Sequence, residues 1–208
     1  MSTRERLIES ARTLLWERGY VATSPKNIQQ LADAGQGSMY HHFSGKEELA
    51  RVAIDRTAEE MRVGVDAVLS GPGSALERIS AYLRRERDVL KGCPIGRLTQ
   101  DPDVMDTPAL VVPVEETFTW LRGRLADLVT EGIASGELRT GIDPAATAAA
   151  IVATLQGGYV LARAADDPEM FQLAVEGVLA LLAAHSVAAH SVSKPVSKPV
   201  SKSSAKEV

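Results

Sequence analysis

The chain contains one cysteine, Cys93, among 208 residues, which excludes an intrachain disulfide and any zinc site built on a cysteine cluster and suits a reducing compartment. Aromatic residues make up only 4%, low for an all-β core. No uninterrupted apolar run reaches the roughly 18 residues needed to span a bilayer. The opening Met-Ser-Thr-Arg-Glu-Arg also lacks the apolar stretch of a secretory signal, so a cytoplasmic protein is expected. Neither sign of charge dominates: 23 Lys and Arg face 27 Asp and Glu, and 45% of the residues are hydrophobic. A uniformly basic surface and wholesale disorder are thereby excluded, and any binding to a polyanion has to be local. The length allows one ordinary domain or two small ones and burial of roughly 70% of the unfolded surface.

Charge is unevenly placed along the chain. Residues 1–50 carry six basic and six acidic side chains, residues 51–190 carry 13 and 20, and residues 191–208 carry four and one. The last segment repeats Ser-Lys-Pro-Val from Ser193 without large apolar side chains, and a disordered basic tail is expected there.

The remainder reads as all-α, because no stretch sustains the period-2 alternation that a strand requires. Leu7, Ile8, Ala11, Leu14 and Leu15 form one apolar stripe, followed by Gly19 where a left-handed cap is expected. Thr23 or Ser24 caps a second, short helix with Pro25 in its first turn and Ile28, Leu31 and Ala32 facing inward. A third short helix over 36–42 is anchored by Met39 and Phe43, and a capping box of Ser44 and Glu47 opens a helix running towards Leu69. Ser74 and Glu77 make a second box for a helix to about Leu90, stopped by Gly92-Cys93-Pro94. Thr107-Pro108, Asp143-Pro144 and Asp167-Pro168 each announce a helix start, while Pro113 predicts a kink or a shifted start in the first of these. The last two helices are the most apolar, with stripes from Ala148 to Ala162 and from Phe171 to Leu182. They have surface to bury within the chain or against a second copy.

Two short helices joined by a tight turn and buttressed on both sides describe a helix-turn-helix module, whose second short helix enters the DNA major groove. Gln36 and Ser38 offer groups that read base edges, Gly37 permits close backbone approach, and Tyr40, His41, His42 and Lys46 offer phosphate donors. Each of these residues has an ordinary packing or solvated alternative, and the residues alone favour His41 over His42. Their clustering beside a capped helix, whose N-terminus favours an anion, is what points to DNA.

Thr3-Arg-Glu-Arg-Leu-Ile-Glu-Ser-Ala, Glu17-Arg-Gly-Tyr-Val-Ala-Thr-Ser, Gly37-Ser-Met-Tyr-His-His-Phe and Lys46-Glu-Glu-Leu together resemble the DNA-binding domain of TetR-family transcriptional regulators, over about residues 3–55. The resemblance implies an all-α homodimer on a palindromic operator, usually repressing and released when a small lipophilic inducer enters the C-terminal domain. It implies base contacts by Lys26, Gln36, Gly37, Ser38 and Tyr40 and phosphate contacts by Thr23, Tyr40, His42 and Lys46, which raises His42. Three features depart from the family pattern: Asp33 stands where glycine is usual in the turn, Gly35 where Ser or Thr often caps, and neutral Gln36 where Lys or Arg is frequent.

The domains expected are a DNA-binding region over 1–50 and a ligand-binding and dimerisation region over 51–190. Gly92-Cys-Pro-Ile-Gly-Arg-Leu and Gly157-Gly-Tyr-Val-Leu-Ala-Arg-Ala look similar to the LmrA-type branch of the family. A pocket between bundle helices is mainly apolar with a few orienting polar groups, and its candidates are Tyr82, Cys93, Met105, Phe118, Trp120, Leu121, Gln156 and Tyr159. For each of them packing is the favoured role, since apolar residues at helical spacing are first of all core. No metal-ligand spacing is visible, no cofactor motif occurs, and no Ser-His-Asp order or Gly-rich phosphate loop suggests an enzyme. The zero net charge of residues 1–50, with Asp33 and Gly35, leaves open a different class: a helical carrier or enzyme that does not bind DNA.

Overall fold

The computed structural model describes residues 1–187; the tail expected over 191–208 lies outside the described residues. Within them the protein is all-α, with one isolated bridge between Leu138 and Ser186.

Helix α1 (Thr3–Arg18) starts at Ser2, whose side chain accepts from the Glu5 amide, and buries the expected stripe. Gly19 ends it at φ +81, with ψ extended rather than helical. Ser24, not Thr23, caps α2 (Pro25–Leu31). Leu31 points outward and is 53% exposed: α2 ends there, and only Ile28 and Ala32, one turn apart, reach the core. Helix α3 (Gln36–His42) is seated by buried Met39 and Phe43, and the Gln29 amide donates to the Met39 sulfur at 3.3 Å. Asp33 occupies the turn with φ +48, the conformation for which glycine is usual, and Arg6 donates to the carbonyls of Ala32 (2.8 Å) and Asp33 (3.2 Å). This guanidinium satisfies chain-end carbonyls that the tight turn leaves without helical partners.

Helix α4 (Lys46–Leu69) begins at Gly45, and the expected Ser44–Glu47 box does not form. Glu48, one residue further on, instead accepts from the Ser44 amide (2.7 Å) and hydroxyl (2.8 Å). Ion pairs of Arg12 with Glu60 and of Arg56 with Glu5 tie α1 to α4. The division expected at residues 50 and 51 falls inside α4, and the apolar core around α1–α4 takes in Ile95, Leu98, Val104, Leu110 and Val114 from further along the chain.

The Ser74–Glu77 box opens α5 (Ala75–Arg84) as expected, but the helix stops well short of Leu90. The cause is Arg87, which folds back and donates to the carbonyls of Tyr82 (2.5 Å), Leu83 (2.8 Å) and Arg85 (2.8 Å) while its guanidinium lies over the Tyr82 and Phe171 rings. A 3-10 turn over Gly96–Gln100 and the short α6 (Pro102–Asp106) follow. Asp101-Pro102 repeats the Asp-Pro start signature, a signal overlooked in the sequence. Helix α7 (Pro108–Ala134) runs unbroken through Pro113, so its start is not shifted. Asp143 caps α8 (Pro144–Ala165), and α9 (Glu169–Ala184) starts one residue after Pro168, with Asp167 accepting from the Glu169 amide.

A second core joins α5, α7, α8, α9 and the end of α4. Packing is close at Gly158, where an added Cβ would lie 3.0 Å from the Phe171 ring, and the tilted Tyr159 and Phe171 rings meet at 4.7 Å. Contrary to the sequence expectation, α8 is long and apolar enough to cross a membrane by length and composition, because Arg163 is its one charged residue. One face of it is buried against α7 and α9. Gly158→Val should lower stability by about 1–3 kcal/mol, since the branched side chain overpacks against Phe171; urea denaturation checks this.

Candidate nucleic-acid interface and ligand cleft

Helix α3 stands at the surface on two buried pegs, so its remaining side chains face outward. Gln36, Gly37, Tyr40 and His41 are exposed, Ser38 and His42 half-buried. Lys26 on α2 is exposed beside them. The His41 and His42 rings meet edge to face at 5.0 Å, and His42 leans on Phe43 at 6.4 Å. Nothing lies within 4 Å of a Cβ added at Gly35 or Gly37, so these backbone positions are open to a close partner.

Two of the implied phosphate contacts are placed otherwise. Thr23 is buried, its hydroxyl donating to the Gly19 carbonyl (2.6 Å) and its amide to that of Tyr20 (3.1 Å), so it fixes the loop after α1 instead of facing solvent. Lys46 lays its ammonium over the Tyr20 ring at 3.8 Å. Burial there pushes the lysine down from its ordinary value, against the pull of Asp101 and Asp103. Burial also pushes the Tyr20 phenol up, helped by Glu47, Asp103 and Asp101. What the start of α4 offers an anion is its backbone: Gly45 provides no side-chain cap for the first-turn amides.

The same α3–α4 corner contains a pH-sensitive contact. The Ser44 amide and then its hydroxyl hold the Glu48 carboxylate below the usual range. A depressed folded value means that this contact is complete above the ordinary carboxylate pKa and is lost as pH falls through the lowered one. An NMR titration should therefore show the Ser44 amide signal moving below the ordinary carboxylate range, and Glu48→Gln should abolish that movement.

A cleft of about 890 Å³ opens on the other side of the module. Its walls come from Arg18 to Ala22 at the end of α1, the segment from Gly92 to Pro102, Phe118 and Arg122 on α7, and α8 from Ala149 to Arg163. Four of the eight expected ligand residues line it: Cys93, Phe118, Gln156 and Tyr159. The other four do not. Tyr82 and Leu121 are buried in the second core, Trp120 packs against that core, and Met105 is exposed on α6. Burial pushes the Tyr159 phenol up. The Cys93 sulfur accepts from the Gly96 amide at 3.2 Å. Overlooked in the sequence were Arg97, Asp101 and Arg163, although Arg97 and Arg163 fall inside the two segments that carry the LmrA-type resemblance. Asp101 is the most constrained of them: Oδ2 accepts from the amides of Tyr20 (2.6 Å) and Val21 (2.9 Å), while Oδ1 is buried without a partner. Among the described residues no group of three His, Cys, Asp or Glu side chains is placed to hold a metal ion.

The family described as bacterial regulatory proteins, tetR family, matches residues 7–53, and the tetracyclin repressor-like C-terminal domain matches residues 74–178. The chain is 30% identical over 174 residues to the HTH-type transcriptional regulator Rv0196 of Mycobacterium tuberculosis, covering 79% of this chain and 86% of that one. It is 27% identical over 113 residues to the HTH-type transcriptional regulator LmrA of Bacillus subtilis, covering 51% of this chain and 60% of that one, in line with the resemblance noted above. A TetR transcriptional regulator from Chloroflexus aurantiacus, 29% identical, superposes with a TM-score of 0.79 over 88% of this chain and 96% of its own. With α3 exposed on a buried base, and with both of its halves matched, this chain belongs to the TetR family of DNA-binding transcriptional regulators.

Proposed function

We propose that the protein is a ligand-responsive repressor: a homodimer that holds a palindromic operator with two α3 helices and releases it when a small molecule occupies the cleft. The observation that carries this reading is the cleft's shared wall. The loop joining α1 to α2 forms one side and α7 with α8 the other, so an occupant touches the DNA-binding module and the C-terminal bundle at once. Asp101 lies between them, bonded to the backbone of that loop. A ligand shifts DNA affinity only as far as it binds one arrangement of these parts better than another, and a site at their junction is where such a difference arises.

Dimerisation supplies the geometry. Two recognition helices enter successive major grooves when about 34–36 Å apart, so a modest reorientation of α4 and the module on it abolishes binding without contact to DNA. The second copy is assigned to the outer face of α8 and α9. There Val160, Leu161, Leu173 and Leu181 are 56–67% exposed, Ala150, Gly157 and Ala164 on α8 and Gly177 and Ala180 on α9 are exposed between them, and these positions carry no charge. An uncharged apolar patch formed by two adjacent helices, with small residues that permit close approach, suits an isologous helical interface. The regulator acts where the chromosome is, in the cytoplasm.

Base reading is assigned to Gln36, Gly37, Ser38 and Tyr40 with Lys26 alongside, and phosphate contact to Tyr40, His41, His42 and the α4 N-terminus. Gln36→Ala should relax preference at one base position per half-site by about 1–3 kcal/mol, whereas His42→Ala should weaken all sequences alike. Binding of both variants to a panel of operator point variants at fixed salt checks this, and a uniform loss for Gln36→Ala overturns the reading role. For the interface, Leu161→Glu combined with Leu181→Glu should give a folded monomer by light scattering, with operator affinity reduced at least tenfold.

A further inference from the structure

The cleft differs in charge from the region around it. Residues 51–190 carry 20 acidic side chains against 13 basic ones, yet Arg18, Arg97, Arg122 and Arg163 line the cleft with Asp101 as its single acid. Asp101, whose Oδ2 is held by the Tyr20 and Val21 amides, offsets only part of this charge, one carboxylate against four guanidiniums. Among the described residues the guanidiniums of Arg97 and Arg163 make no ion pair and no hydrogen bond, although elsewhere arginines such as Arg12, Arg84 and Arg124 are paired with carboxylates. The two guanidiniums are close enough to repel: burial, and then the charge of Arg163, lower the pKa of Arg97, with Asp101 acting against them. Holding two like charges together at the mouth of a half-apolar cleft is unfavourable unless an anion joins them.

The wall between them is built for close approach. A Cβ at Gly96 would fall 2.0 Å from the Gln156 amide oxygen, so glycine there lets the Gln156 side chain lie against the backbone beside Arg97. Phe118, Val152 and Tyr159 supply an apolar floor.

We infer that the cleft is a receptor for an organic oxyanion, an amphiphile whose apolar body rests on Phe118, Val152 and Tyr159 and whose single acidic group is forked by Arg97 and Arg163. This rests on the proposed ligand site and narrows its occupant from a lipophilic molecule to an amphiphilic acid. A guanidinium presents paired N–H donors in a plane that matches carboxylate and phosphate oxygens alike, so both headgroups satisfy the site.

Two dyes that share a ring system separate the charge from the apolar body: 8-anilinonaphthalene-1-sulfonate and the uncharged N-phenyl-1-naphthylamine, both titrated by fluorescence into the full chain. The sulfonate should bind at least tenfold more tightly than the neutral dye. In Arg97→Gln/Arg163→Gln that advantage should vanish while the neutral dye binds as before, and circular dichroism should show an unchanged fold. Ala153→Trp, which fills the cleft from α8, should abolish binding of both. Dodecanoate and dodecyl phosphate should displace the sulfonate dye where dodecan-1-ol does not, and the more effective of the two identifies the headgroup. Equal affinity of the two dyes, an advantage that survives in the double variant, or indifference to Ala153→Trp overturns the oxyanion site. Failure of both dyes to bind at all overturns the ligand site itself, so the two proposals fail in distinguishable ways.

Discussion

One carboxylate holds together the parts on which everything else depends. Asp101 sits at the end of the 3-10 turn, buried, and uses one oxygen to bind two successive amides in the loop that leaves α1. An ionised acceptor makes a shorter and stronger hydrogen bond than a neutral one. The loop leads directly to Ser24 and α2, so the position of the helix-turn-helix pair relative to the C-terminal bundle is set at this point. Trp16 reinforces it by donating to the Gly92 carbonyl at 2.9 Å, and Lys91 lies over the Trp16 ring at 4.2 Å. The segment from Lys91 to Asp101 thus grips α1 at both ends of its last turns.

The grip has a consequence for regulation. A bundle that merely adjoined a DNA-binding module would leave it free to tumble, and a bundle fused to it by a large core would leave nothing to move. Here the first core reaches into the segment from Cys93 to Val114, yet a cleft of about 890 Å³ separates the loop after α1 from α8. Contact is continuous on one side and open on the other. Arg97 and Arg163 line that opening without ion-pair partners, and Asp101 Oδ1 is buried beside it without a hydrogen bond. Buried polar atoms without partners are costly, and any arrangement that satisfies them is favoured by a corresponding amount.

How far the sequence discloses such an arrangement depends on how local its causes are. The caps at Ser24, Ser74 and Asp143 and the stripes of α1, α8 and α9 are legible because each depends on residues within one or two turns. Asp33 is marked only by the family resemblance, as standing where glycine is usual, and its left-handed conformation is seen in the structure. The end of α5 is not legible, because Arg87 reaches back over the Tyr82 and Phe171 rings to take carbonyls that the sequence leaves to a longer helix. The surroundings of Lys46 are equally hidden in the sequence: its ammonium lies over the ring of Tyr20, from the loop after α1. Among the ligand candidates, apolar periodicity marks what is inside without saying which core it joins, so Tyr82 and Leu121 went to packing while Arg97 and Arg163 were passed over.

Taken alone, the amino-acid order determined an all-helical chain with a short, polar helix on two apolar pegs and a pair of greasy helices near its described end. Those features follow from helical period and capping chemistry, which act over a few residues. Only the tertiary structure decided that Thr23 turns inward, that Asp101 anchors the loop above it, and that unpaired arginines from the 3-10 turn and α8 share one opening. The last two depend on where segments far apart in the chain come to rest, and long-range placement is governed by the packing of whole helices rather than by any local preference.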